Sequence, residues 1–333
     1  MSQETPKMQG ICPDMENEMT KERYLPEGER LRTARNIELI SSPGGLEKAM
    51  LQGEILEAVA LVCSTDLTIS VDLGGVRGII PREEALLPVG TDDIKDIAVI
   101  TRVGKPVCFK VTEITQDRLG RPLALLSRRE AQKECMREYV MQLLPGDVIP
   151  ARITHMEHFG AFVDVGCGIV SLLSIDSISV SRISHPRDRF EIGQRIFTVV
   201  RDVDPETGRM NVTHKELLGT WEENAARFKC GTTVTGFVRS VESYGIFVEL
   251  APNLAGLAEY SDGVEAGKGA SVYIKSILPD KMKVKLVLID SFDLPLPAPG
   301  LGYFIDGNKV KHIHSWRYSP SCCSKLTETV FDK

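Results

Sequence analysis

Residues 146–164 read GDVIPARITHMEHFGAFVD, and residues 231–249 read GTTVTGFVRSVESYGIFVE. At an offset of 85 positions Gly146 meets Gly231, Phe159 meets Tyr244, Gly160 meets Gly245, Phe162 meets Phe247, Val163 meets Val248 and Asp164 meets Glu249. A stretch written twice at fixed spacing is one structural unit used twice, so the repeat outranks any local reading. Within each copy, β-branched and aromatic residues alternate with polar ones and Gly breaks the run. That is the pattern of short strands joined by a tight turn.

Each copy then runs on into a second pair of strands, IGQRIFTVVRDVDPETGRMNVTHKE at 192–216 and GASVYIKSILPDKMKVKLVLID at 269–290. D-P-E-T-G and P-D-K supply the turns between them. Five short strands with a Gly-punctuated first hairpin describe a small Greek-key barrel of the OB type. A degenerate third copy precedes these: Gly53 opens it, VDLGGVRGIIP at 71–81 parallels VDVGCGIVS at 163–171, and LSRRE at 126–130 parallels VTHKE. Its aromatic positions are lost, with Leu67 and Ser70 standing where Phe159 and Phe162 stand in the next copy.

The expected fold is therefore all-β, three tandem five-stranded barrels joined by short helical linkers at 129–144 and 215–231, both rich in helix formers. The domain plan is a flexible N-terminal extension (1–48), a degenerate repeat (49–130), two full repeats (144–217 and 229–290), and a Pro-rich linker with a C-terminal hairpin (291–333). That hairpin is placed around Asp306-Gly307-Asn308, since Gly and Asn supply positive φ. Trp316 and Tyr318 are expected to anchor it on the third barrel.

Among 333 residues, 42% are hydrophobic, enough for real cores, while the net charge of −6 offers no overall positive field. Indiscriminate binding to duplex DNA, which rests on neutralising phosphates, is thereby disfavoured, and any nucleic-acid contact has to be local. The eight cysteines form no C-x-x-C pair and no secretory leader precedes them, so they read as reduced thiols. No apolar run approaches the roughly 18 residues of a membrane span, so a cytoplasmic protein without membrane contact is expected.

Gly44-Gly45 and Gly74-Gly75 precede no Lys-Ser/Thr pair and form no phosphate loop. No Ser-His-Asp set or carboxylate pair stands in motif context, so neither catalysis nor a cofactor is expected. His312, His314, Cys322 and Cys323 lack the spaced cysteine pairs of structural zinc sites, and no metal is expected either. Four arginines in RISHPRDRFEIGQR (182–195) fit either an extension of a nucleic-acid path or an ordinary solvated loop.

The pattern G-x-x-x-x-x-x-I-x-x-x-x-x-F-G-A-F-V-D, then G-I-V-S, then D-x-x-x-x-R-M-x-V-T-x-K resembles the RNA-binding repeat of bacterial ribosomal protein S1. The linker TWEENAARFKCG is similar to the spacer between repeats of that family. The resemblance spans about residues 50–290, strongest in the second repeat. It implies binding of single-stranded RNA, messenger RNA above all, in translation, with the small ribosomal subunit as partner. By position it implies contacts from Phe159, Phe162, Asp204 and Arg209 in repeat two, and from Tyr244, Phe247, Asp280 and Lys283 in repeat three. The His that the family carries after G-L-V is replaced by Ser171 and Glu259. Repeat one, without aromatics, is expected to dock to a partner.

Residues three apart in a strand face opposite sides, so Phe159 and Phe162 are expected to share a face through a bulge or bend at Gly160. Paired there, the rings would form a platform for unpaired bases. Other readings are an accessory protein of RNA processing or decay, a ribonuclease, or a protein scaffold, since fold does not fix function. About 48 residues before the repeats and 43 after are too few for a nuclease domain, which weighs against the second of these.

Overall fold

The first strand of each repeat bends midway, and that bend lets five strands close on themselves. The computed structural model describes residues 23–88, 94–293 and 301–332. In barrel one the strands are β1 (Leu56–Cys63), β2 (Ile69–Asp72), β3 (Arg77–Ile80), β4 (Pro106–Gln116) and β5 (Pro122–Ser127). Barrel two has β6 (Val148–Glu157), β7 (Gly160–Gly166), β8 (Ile169–Ser174), β9 (Arg195–Val203) and β10 (Met210–Thr213). Barrel three has β11 (Thr233–Glu242), β12 (Gly245–Ala251), β13 (Leu254–Ala258), β14 (Gly269–Leu278) and β15 (Lys283–Phe292).

Each barrel is closed in the order first, second, third, fifth, fourth strand. The first strand pairs antiparallel with the second and the fourth, and the third runs parallel to the fifth. In all three, the register with the second strand slips at one place in the first: between Ala60 and Val62, Ile153 and His155, Val238 and Ser240. An extra residue there tightens the twist and turns the strand from one half of the barrel into the other. Closure leaves no unpaired edge. Small and β-branched side chains fill the narrow interiors, among them Val71, Ala161, Val163, Ile246 and Val248, all buried.

The chain divides into two compact units, Met1–Gln142 with Gly166–Ile169, and Leu143–Val165 with Val170–Lys333. In the first, the stretch read as a flexible extension is in part ordered. Helices at Ala34–Ile40 and Pro43–Gln52 bury Leu39, Leu46 and Ala49 in the core of barrel one. Glu57 on β1 accepts backbone N–H groups of Arg30 and Leu31, and Glu27 forms a two-pronged pair with buried Arg128. The short helical runs there are capped by Thr33 and Ser42, signals that a polar composition hides. Residues 1–22 of the predicted extension lie outside the described residues, as do residues 294–300 of the Pro-rich linker. The linker predicted at 129–144 is a helix, Arg128–Glu138, followed by a 3-10 turn.

In the second unit, the linker at 215–231 is a 3-10 turn and the helix Trp221–Ala225, which begins with a reciprocal Thr220–Glu223 capping box. Barrels two and three are joined by Arg189, whose guanidinium reaches the Glu249 carboxylate at 2.6 Å with both side chains fully buried. Arg239 holds the same carboxylate at 2.7 Å. Arg189 therefore does not extend a nucleic-acid path. One of the four arginines in that loop serves the join between barrels, because a buried carboxylate at the end of β12 needs a charged partner.

The C-terminal hairpin is not where Asp306-Gly307-Asn308 suggests. Residues 303–313 run along barrel two, with Phe304 N–H on Leu217, Ile313 N–H on Gly146 and Val148 N–H on Lys311. The paired strands are instead β16 (Ser315–Arg317) and β17 (Glu328–Val330). Trp316 and Tyr318 are buried in the core of barrel three, and the Tyr318 hydroxyl donates to the Asn253 carbonyl. The turn at 306–308 exists, closed by Lys309 N–H on Asp306, but backbone groups beyond it bond to barrel two rather than to each other.

His214, fully buried, fastens this tail. Its Nδ1–H donates to the Ile178 carbonyl at 2.9 Å, so Nε2 accepts from the Tyr303 hydroxyl at 3.1 Å. Burial, opposed by the Ile178 bond, pushes its pKa down to about 4. The unfolded imidazole, near 6.5, binds a proton that the folded one refuses, so stability is full above about pH 6.5 and is lost as the pH falls from there to about 4. Both tryptophans, Trp221 and Trp316, lie in this unit, so urea unfolding followed by tryptophan fluorescence reports on it. The expected loss across that window is about 3 kcal/mol, and it should be absent from His214→Phe.

Candidate nucleic-acid interface

Between β6 and β7 the chain turns through His158 and Phe159. Phe159 thus stands just ahead of the strand, which frees its ring from the strict alternation of β7. From Gly160 onward alternation sends Ala161 and Val163 inward and Phe162 outward. The bulge expected at Gly160 lies across the ladder in β6 instead. Glycine is required at 160 for another reason: a Cβ there would stand 2.5 Å from the Leu173 carbonyl oxygen and 3.0 Å from Ser174 Cα.

Phe159 is 56% exposed, and its ring centroid lies 5.9 Å from that of Phe162 with the planes at 88°. Barrel three repeats this arrangement. Tyr244, in the turn before β12, is 67% exposed and lies 6.1 Å from Phe247 at 87°. A Cβ at Gly245 would meet the Ala258 carbonyl oxygen at 2.5 Å. The edge-to-face geometry is a favoured one for aromatic pairs, and one ring of each pair is more than half open to solvent.

In barrel two a third ring joins. His155 lies opposite Phe162 in the ladder and stacks on it, 6.1 Å away at 24°. Nε2 of His155 is 2.6 Å from a Glu157 carboxylate oxygen. A lone His in a strand gives no signal by itself, but its register partner does. Barrel three carries Ser240 at the matching place opposite Phe247.

In barrel three Tyr244 and Phe247 line an open cavity of about 870 Å³ together with Lys275, Lys281, Lys283 and Lys285. Lys325, from the C-terminal tail, also lines it, as does Glu259. Of these cations the sequence reading identifies only Lys283. Alternate Lys283 and Lys285 of β15 are the available signal, since alternate residues of a strand share a face, while Lys281 lies in the 3-10 turn that precedes β15. A groove that joins aromatic rings to a row of ammonium groups suits a polyanion bearing flat bases.

The remaining candidates divide. Asp204 is chiefly a turn former: it accepts the Thr207 hydroxyl at 2.5 Å and the Glu206 N–H at 2.9 Å, which hold its carboxyl below the usual range. Arg209 beyond that turn is exposed. Asp280 is exposed too, but does not line the barrel-three cavity. Ser171 is buried and donates to the Met210 carbonyl at 2.6 Å, so it presents nothing outward. In barrel one Leu67 takes a positive φ of 62° and packs against the core, and Ser70 accepts from Arg77. That hairpin carries no ring.

The family model for the S1 RNA binding domain matches residues 143–215. Small ribosomal subunit protein bS1 of Staphylococcus aureus strain COL is 28% identical over 255 residues, 75% of this chain and 63% of that protein. Small ribosomal subunit protein bS1 of Rhodopseudomonas palustris is 31% identical over 224 residues, 66% of this chain and 38% of its own length. The chain therefore spans less than two thirds of either relative. A solved multidomain protein with nucleic acid binding domains from Streptococcus pneumoniae is 14% identical, covering 73% of this chain and 76% of its own, with a TM-score of 0.24. No helix among the described residues is long and apolar enough to cross a membrane.

Because the next strand's backbone occupies the space beside Gly160, Gly160→Ala should force the hairpin away from β8 and cost about 1–3 kcal/mol, as overpacking does. Urea unfolding by tryptophan fluorescence measures the loss. The neighbouring Ala161→Gly change, which adds no atoms, should leave the ring pair's spacing intact in methyl and aromatic NMR spectra.

Proposed function

We propose that this chain, similar to small ribosomal subunit protein bS1 and carrying an S1 RNA binding domain at residues 143–215, is an S1-like protein that binds single-stranded RNA in translation without catalysing a reaction. Barrels two and three hold unpaired stretches of messenger RNA, and barrel one docks to a partner, the small ribosomal subunit being the one its relatives' names suggest. The protein acts in the cytoplasm. The observation that carries this reading is the matched pair of rings, Phe159 with Phe162 and Tyr244 with Phe247, at the same spacing and angle on two barrels. A core role would not need the more exposed ring of each pair to be more than half open to solvent.

Stacking answers to the flat face that every base has, so it gives affinity with little sequence preference. Arg209 in barrel two and Lys283 in barrel three stand near the far turn of each barrel, where a phosphate backbone leaving the rings would pass. Asp204 shapes its turn through the Thr207 hydroxyl and the Glu206 N–H. Barrel one offers a different surface: Val59, Leu61 and Val62 on β1 are exposed apolar residues where the other barrels show rings and cations. Such a surface suits a protein partner better than RNA.

Replacing Phe159 and Phe162 with Ala should weaken binding to an unstructured RNA at least tenfold, since about 1–3 kcal/mol per stacked base is removed. Fluorescence anisotropy reads the effect, and unchanged affinity would mean the stacking face is wrongly assigned. Each of Lys275, Lys283, Lys285 and Lys325 changed to Ala should make the negative slope of log affinity against log salt shallower by about 0.7. Val62→Glu should leave RNA affinity unchanged while shifting the protein away from ribosomal fractions in sedimentation. Labelled RNA should be recovered intact after incubation with divalent metal, and cleavage would refute the non-catalytic reading.

A further inference from the structure

The tail that runs along barrel two brings His312 and His314 beside Asp332, and the ligand atoms of these three residues all lie within 4.8 Å of one another. We propose that they form a binding site for a divalent transition-metal ion, zinc by donor set, which clasps the two ends of the C-terminal hairpin together beside barrel two.

The donors are already turned toward one another. His312 Nε2 stands 3.3 Å from one Asp332 carboxylate oxygen, and His314 Nδ1 stands 2.5 Å from the other. The two rings are 4.7 Å apart. In a tetrahedral site with bonds of about 2.0–2.2 Å, ligand atoms stand roughly 3.3–3.5 Å from each other. An ion taking the place of any proton between these nitrogens and the Asp332 carboxylate needs only a small spreading of the side chains. Two imidazoles and a carboxylate suit zinc better than magnesium or calcium, which favour sets of oxygen donors.

An independent feature comes from barrel two. The Asp147 carboxylate accepts His312 Nδ1–H at 2.9 Å, and its other oxygen accepts the Leu144 N–H at 2.8 Å. A carboxylate fixed in this way puts the proton on Nδ1 and leaves the Nε2 lone pair for a metal, the usual outer partner of a ligating histidine. The backbone is equally constrained. Gly146 lies so close to the tail that a Cβ would meet the Ile313 carbonyl at 2.4 Å, and Phe331 N–H bonds to His314 at 3.0 Å. His314 and Asp332, at the two ends of the β16–β17 hairpin, are thus held together before any ion arrives.

The three donors open onto a cavity of about 1130 Å³, so water can complete the coordination. The same hairpin carries Tyr318 and Lys325 into the barrel-three groove, and an ion at its base would steady them. Cys322 and Cys323 are not among the converging donors.

The full-length protein, stripped with chelator and titrated with zinc chloride by isothermal calorimetry, should take up one ion per chain with a rise in Tm. His314→Ala and Asp332→Asn, both at exposed side chains, should abolish uptake, and Asp147→Asn should weaken it about ten- to a hundredfold. The double change of Cys322 and Cys323 to Ser should leave uptake unchanged, and cobalt substitution should give a spectrum without a thiolate charge-transfer band. No uptake by the unaltered protein, uptake that survives His314→Ala, or uptake lost with the cysteines would overturn the assignment.

Discussion

A backbone carbonyl occupies the space where the side chain of residue 160 would be, and another does so at residue 245. Only glycine allows the third strand to come so close behind the first hairpin. That closeness fixes where the strand begins. The aromatic residue before the glycine is left in the turn, and the one two places after it faces outward by plain alternation. Two rings thereby meet on one side of the barrel without strain, in two barrels, at nearly the same distance and angle.

The rings alone would give an adhesive but directionless surface. Local charge supplies the rest. The chain is acidic as a whole, so it has no field to gather polyanions from a distance. The lysines beside Tyr244 and Phe247 form a cationic row confined to one groove, suited to a strand whose bases are free to stack and poorly suited to a duplex whose bases are hidden. Barrel two has a different makeup, with His155 extending the ring cluster. The buried Arg189–Glu249 pair joins the two barrels. Desolvating such a pair is expensive, and its value lies in fixing one arrangement over others rather than in net stability.

Much of this was legible in the sequence because the repeat at 85 positions exposes it twice. The alternation in β7 and β12, the glycines and the aromatic positions all follow from the alignment of residues 146–164 with 231–249. Barrels two and three follow from it, and barrel one follows from the parallels of residues 71–81 with 163–171 and of 126–130 with 212–216. What stayed hidden depends on long-range contact. Glu27 reads as one acidic residue among many, yet its pairing with Arg128, like the packing of Leu39 and Leu46, binds this part of the chain to barrel one. Asp306-Gly307-Asn308 makes a turn as its residues dictate, yet the backbone on either side bonds to barrel two rather than forming strands. His155 and Lys325 reach the candidate site through register and through the tail, and neither lies in a motif. Arg189 reads as a solvent-exposed cation because composition says nothing about where its counter-charge lies.

The central claim is that unpaired bases lie against the rings at the first hairpins of barrels two and three. Photocrosslinking of the full-length protein to a single-stranded RNA containing 4-thiouridine, with the attached residues mapped by mass spectrometry, tests it directly. Adducts are expected at Phe159 or Phe162 and at Tyr244 or Phe247, with barrel one unlabelled. Adducts gathered on barrel one, or spread over the lysines with none at those rings, would contradict it.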